Sequence, residues 1–129
     1  MARILLVDDD DAVRAFVKRA LEMDGHEVEA AIDGADAFDR LTAAAGAFDL
    51  LLTDIRMPMM DGIALALATA RDFPDLTILL MTGYADQRER AADLDALIHD
   101  VVTKPFTLDQ IRSAVADALA AAPKGRLSA

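Results

Sequence analysis

Apolar residues follow two alternating rhythms along this chain. An unbroken run, Ile4 to Val7, gives way to Val13, Phe16, Val17, Ala20 and Leu21, spaced i, i+3, i+4, i+7, i+8 as on one face of a helix. The first rhythm predicts a strand and the second an amphipathic helix. The alternation recurs with strands at 26–32 (HEVEAAI), 48–54 (FDLLLTD), 76–82 (LTILLMT) and 98–104 (IHDVVTK), each followed by a segment of helical character. Gly25, Asp33-Gly34, Gly46, Pro58, Asp61-Gly62, Pro74, Gly83 and Pro105 punctuate the segments, as turn chemistry requires. Thr107 and Gln110 have capping-box spacing at the start of the last helix, which is expected to bury Leu108, Ile111, Val115 and Leu119. Five strands alternating with five helices, (βα)5, predict an α/β fold with a parallel sheet, doubly wound and covered on both faces. The expected domain runs over residues 1–121, with 122–129 as a flexible tail.

In such a sheet, sites collect beyond the carboxyl ends of the strands. Those ends carry Asp8 and Asp9, Asp54, Thr82 and Lys104. The third strand, LLLTD, is almost wholly apolar yet finishes on Asp54, and a lone carboxylate beside a core costs several kcal/mol unless it is paired. Convergence of three carboxylates, a hydroxyl and an ammonium supplies the pairing. Clustered carboxylates repel one another unless a cation sits among them, and oxygen ligands without histidine or cysteine suit Mg2+. A carboxylate beside Mg2+ can attack phosphorus to form an aspartyl phosphate. Lys104 and Thr82 would then neutralise and contact the phosphoryl oxygens.

Bulk composition narrows the partners. The 129 residues suit one domain, so a sensing and an output domain would not both fit. Thirteen basic against 23 acidic side chains leave a net charge of -10, which opposes nucleic acid and anionic membrane surfaces. Cysteine is absent, which removes thiolate chemistry, and the apolar run at the start is too short for a signal peptide or membrane span. A cytoplasmic location is expected.

Other residues have plainer readings. Asp10 and Asp11 are both expected to cap the first helix, and Asp33 and Asp61 likewise precede helices, so Asp61 is not expected to be a second phosphoacceptor. His26 and His99 have no evident partner and are expected at the surface or facing a partner. The six methionines are expected to serve as adaptable packing.

The segments LLVDDDDAVR, LLTDIRMPMMDG, MTGYA and TKPF, in this order at successive strand ends, resemble the response-regulator receiver family, the chemotaxis-regulator-like, flavodoxin-like fold phosphorylated by sensor histidine kinases. The likeness extends over roughly residues 2–121. It implies that Asp54 accepts a phosphoryl group, Asp9 binds Mg2+ directly and Asp8 through water, and the backbone carbonyl of Arg56 completes the protein ligands. It also implies that Thr82 and Lys104 contact the phosphoryl group and that Lys104-Pro105 is cis. A histidine kinase or histidine phosphotransfer protein is the implied donor. Where many receivers carry an aromatic three residues before the motif lysine, this chain has Val101. Tyr84 is the expected substitute, transmitting the signal to a surface that includes Arg88, His99 and Arg112. Val101, the Thr-Gly-aromatic motif and the lone receiver also look similar to the CpdR subgroup, stand-alone adaptors for an AAA+ protease. Two rivals use the same parts: a haloacid-dehalogenase-type phosphatase and a non-phosphorylated scaffold. The phosphatase family places its nucleophile in a D-x-D motif after the first strand, whereas Asp54 follows the third; the intact acidic, hydroxyl and lysine set argues against a scaffold. The chain is therefore not expected to be an enzyme beyond its own phosphotransfer and dephosphorylation.

Overall fold

The computed structural model describes residues 2–83, 91 and 94–121. Its two central strands, β3 (Leu50–Asp54) and β4 (Thr77–Thr82), are buried along their whole lengths. They have neighbours on both edges and helices on both faces, which explains their nearly continuous apolar sequence. Around them lie β1 (Arg3–Val7), β2 (Glu27–Ala31) and β5 (Asp100–Thr103), all parallel, in the order β2-β1-β3-β4-β5. From β1 the chain steps outward to β2, then crosses back past β1 to β3 and continues to β4 and β5 on the other side. Strand order reverses at the β1/β3 boundary, where Val7 pairs with Thr53 just before Asp8 and Asp54.

Alternating side chains divide the core in two. Leu5, Val7, Leu51, Ile78 and Leu80 meet Ala37 and Leu41 of α2 (Gly34–Ala43) and Leu65 and Ala66 of α3 (Gly62–Asp72). On the opposite face Ile4, Leu6, Leu50, Leu52, Leu79 and Met81 meet α1 (Asp11–Met23) and the last helix (Leu108–Ala120). Each fully buried leucine contributes about 1.5–3 kcal/mol relative to an exposed one, so the sheet's register is strongly defined.

The helix starts follow the sequence expectation. Asp10, Asp33, Asp61 and Thr107 are the N-caps, each accepting hydrogen bonds from backbone N–H groups in the first turn. Asp11 is the first helical residue rather than a cap. The Thr107–Gln110 capping box is complete in both directions. Within that helix Ile111 and Val115 are buried as expected, but Leu108 and Leu119 are only half-buried and Ala118 takes the third buried position. A small residue fits where the helix lies close to the sheet.

Both histidines acquire partners that their sequence context did not reveal. His26 Nδ1 accepts a hydrogen bond from the Ala2 N–H at 3.2 Å, and His99 Nε2 lies 2.8 Å from Asp117 Oδ2 on the last helix. The expected helix between β4 and β5, together with Tyr84, Arg88 and the proposed tail, falls largely or wholly outside the described residues. Lys104-Pro105 is cis. Among the described residues no helix is long and apolar enough to cross a membrane.

Candidate functional site

The site forms because three strands deliver short polar loops to one end of the sheet. After β1 the chain passes through Asp8, Asp9 and Asp10 before α1 begins. Asp8 is fully buried, and both its oxygens are engaged: Oδ1 accepts from the Asp10 N–H at 2.9 Å and Oδ2 from Lys104 Nζ at 2.9 Å. Arg14, one turn into α1, donates through Nη1 to the Asp8 backbone carbonyl at 2.8 Å and also pairs with Asp11. Asp9, by contrast, is exposed.

Asp54 ends β3 and is 7% exposed. Its Oδ1 lies 3.4 Å from Lys104 Nζ, so the ammonium sits between Asp8 and Asp54. That ammonium is the partner a carboxylate at the end of an apolar strand requires. Burial pushes the Asp54 carboxyl from 3.8 up to about 6; the Asp8 charge adds to the rise, and the Lys104 charge opposes it. Burial also acts against the Lys104 ammonium, but its hydrogen bond to Asp8 and the charge of Asp54 prevail and hold its pKa above the usual lysine value.

The carboxylates of Asp8, Asp9 and Asp54 each offer an oxygen within 4.8 Å of the others. Three oxygen donors at that separation, without nitrogen or sulfur, fit a hard divalent cation such as Mg2+. Arg56 lines the same cleft, together with Gly83 and Lys104. Thr82 stands slightly apart: it is 1% exposed at the end of β4, its carbonyl accepts the Lys104 N–H at 2.7 Å, and Gly83 rather than Thr82 forms the cleft wall.

Close backbone packing holds the loop after Asp54. Gly62 donates its N–H to the Ile55 carbonyl at 2.7 Å, and a Cβ on Gly62 would lie 2.1 Å from the Asp54 carbonyl oxygen. A Cβ on Gly34 would lie 2.0 Å from the Met60 carbonyl oxygen, so α2 seats against the same loop. Neither glycine nor Arg14 stands out in the sequence as part of the site. The Asp61-Gly62 dipeptide and the i, i+3 spacing of Asp11 and Arg14 are the only sequence signals for two of these roles.

Of the expected signalling surface, Val101, His99 and Arg112 lie among the described residues. Val101 is half-buried against the β4 side of the core. His99 pairs with Asp117, whereas Arg112 grips Asp24 at the end of α1, with Nε at 2.9 and 3.0 Å from its two oxygens. Five residues along a helix turn through about 140°. Arg112 and the His99 partner therefore project from different faces of the last helix.

The sequence and the fold have close parallels among known proteins. Residues 4–116 match the family described as the response regulator receiver domain. The response regulator MprA of Mycobacterium avium (strain 104) is 40% identical over 109 residues, covering 84% of this chain and 47% of that protein. The chain thus spans about half the length of the curated relatives it matches. Among solved structures, the response regulator TrrA from Thermotoga maritima, in complex with Mg(2+)-BeF, is 30% identical with a TM-score of 0.81 over 92% of this chain and 99% of that one. A CheY-like receiver protein from Methanospirillum hungatei is 27% identical with a TM-score of 0.84, covering 100% and 99%. With a matching fold, an acidic cluster at its strand-order reversal and a family match over most of its length, this chain belongs to the response regulator receiver domain family.

Proposed function

We propose that this chain is a phosphorylation-controlled switch of a two-component system or phosphorelay, with Asp54 as its phosphoacceptor. The observation that carries the reading is the meeting of Asp8, Asp9, Asp54 and Lys104 in one cleft. Asp9, Asp54 and the Arg56 carbonyl would hold Mg2+, with Asp8 acting through water. Bound Mg2+ neutralises negative charge on the phosphoryl oxygens. An Asp54 carboxylate oxygen forms the bond to phosphorus as the bond to the donor nitrogen of a phosphohistidine breaks. Lys104 pairs with a phosphoryl oxygen, and Thr82 contacts the group once its loop turns the hydroxyl toward the cleft. The donor is a histidine kinase or a histidine phosphotransfer protein.

The receiver unit comprises residues 1–121 and acts in the cytoplasm through a protein partner. An AAA+ protease is one such partner, by the likeness to stand-alone adaptor receivers. Val101 has no ring to rotate, so the conformational response is assigned to the segment after Gly83, with Tyr84 as its aromatic.

Acetyl phosphate with Mg2+ should add one phosphoryl group, about 80 Da by intact-mass spectrometry and labile to hydroxylamine, as for an acyl phosphate. Asp54→Asn should abolish the addition. Labelling that persists in Asp54→Asn would move the acceptor elsewhere.

A further inference from the structure

The cleft that holds Asp54 extends well beyond its polar groups. Its volume is ≈ 760 Å³, and one wall is apolar: Val13 and Phe16 from α1, then Pro105 and Phe106 from the loop after β5. The rings of Phe16 and Phe106 stack with centroids 6.5 Å apart and planes inclined by 26°. Phe16 is 40% exposed, while Val17, Ala20 and Leu21 form the buried face of α1. The core thus closes without the Phe16 ring, which lies in the same cleft as the Asp54 carboxylate. A phosphoryl group needs only the polar end of such a space. Cavities of a few hundred Å3 with apolar walls and a few convergent polar groups suit small organic ligands.

We propose that this wall is a subsite for the non-phosphoryl part of a small phosphodonor, and that it favours acyl phosphates with an aromatic acyl group over acetyl phosphate. The proposal rests on Asp54 being the phosphoacceptor. The transfer is balanced by the donor alone: an Asp54 carboxylate oxygen bonds to phosphorus, the bond from phosphorus to the acyl oxygen breaks, and its electron pair leaves with the aromatic carboxylate. No proton or redox partner is required. Lys104, with the Mg2+ that the carboxylate cluster would hold, locates the phosphoryl end, and the donor ring packs in offset or edge-to-face contact with Phe16 and Phe106. Sheltering roughly half of a phenyl ring, on the order of 60 Å2, corresponds to about a tenfold preference.

The test measures second-order labelling constants for benzoyl phosphate and acetyl phosphate, with Mg2+, on the full chain by intact-mass spectrometry. The benzoyl-to-acetyl ratio in each protein is compared with that of the parent, so the intrinsic reactivities of the donors cancel. Phe16→Ala should lower the ratio about tenfold, and Met23→Ala, an exposed change on the same helix, should leave it unchanged. Phe16→Leu keeps an apolar contact for Phe106 without the ring and should give an intermediate ratio, so loss of a loop contact in the alanine variant does not decide the matter. Equal ratios in the parent, Phe16→Leu and Phe16→Ala would overturn the subsite while leaving Asp54 as acceptor. No labelling of the parent by either donor would overturn the acceptor assignment and the subsite together.

Discussion

Replacing Asp54 by asparagine should stabilise the metal-free fold, although it destroys the reactive group. Asp54 is 7% exposed, and its carboxyl is raised from 3.8 to about 6, chiefly by burial. That difference corresponds to about 3 kcal/mol favouring the neutral over the ionised form in the folded state. A carboxyl raised on folding makes its contribution to stability in full below pH 4 and loses it as the pH climbs through about 6. Asparagine keeps the shape of the neutral form at every pH. Lys104 meanwhile retains its 2.9 Å contact with Asp8, so the substitution does not strand the ammonium. With EDTA at pH 7.5 the variant should gain about 2–3 kcal/mol, a rise in Tm of roughly 6–12 °C for a domain of this size. At pH 4 the gain should shrink toward zero. Adding Mg2+ at pH 7.5 should stabilise the parent more than the variant, because only the parent keeps the full donor set. Thermal unfolding followed by circular dichroism measures all three. A variant less stable than the parent at pH 7.5, or a gain undiminished at pH 4, would refute burial as the cause.

Three further substitutions test the surroundings of the site. Thr69 is buried in α3 and its hydroxyl has no hydrogen-bond partner among the described residues, so Thr69→Val should raise stability by about 1 kcal/mol in urea denaturation; a loss would reveal a bond to the hydroxyl. Met59 is 83% exposed with φ +68°, a backbone region that costs side-chain-bearing residues about 1 kcal/mol, so Met59→Gly should stabilise by up to that amount despite the added freedom of the unfolded chain. No gain in Tm would mean that the strain is absorbed elsewhere. Gly62→Ala, with its Cβ 2.1 Å from the Asp54 carbonyl oxygen, should cost on the order of 2 kcal/mol or more and slow acetyl phosphate labelling; unchanged labelling would show that the loop need not be held for Asp54 to react.

How much of this could be read from the chain depends on the range of the interaction. Strand and helix identity follow from local periodicity, so β1 to β4 and α1 were evident from short stretches, as were the caps at Asp10, Asp33, Asp61 and Thr107. The polar strand ends also marked Asp8, Asp9, Asp54 and Lys104, because a parallel α/β sheet delivers those ends to one side. What the pattern omits is geometry between segments far apart in sequence. The wedge of Lys104 between Asp8 and Asp54 joins residues 96 and 50 positions apart, and no local rhythm encodes it. The grip of Arg112 on Asp24 and the pairing of His99 with Asp117 arise in the same way, from helices laid across the sheet, and they place His99 and Arg112 on different sides of the last helix. Gly34 and Gly62 looked like ordinary turn residues; only tertiary packing brings the Met60 and Asp54 carbonyls so close that a side chain would not fit. Local sequence therefore determined which segments form and which chemistry they carry to the strand ends, while the pairing of charges, the burial that raises Asp54 and the aromatic wall facing it were decided by the approach of distant elements.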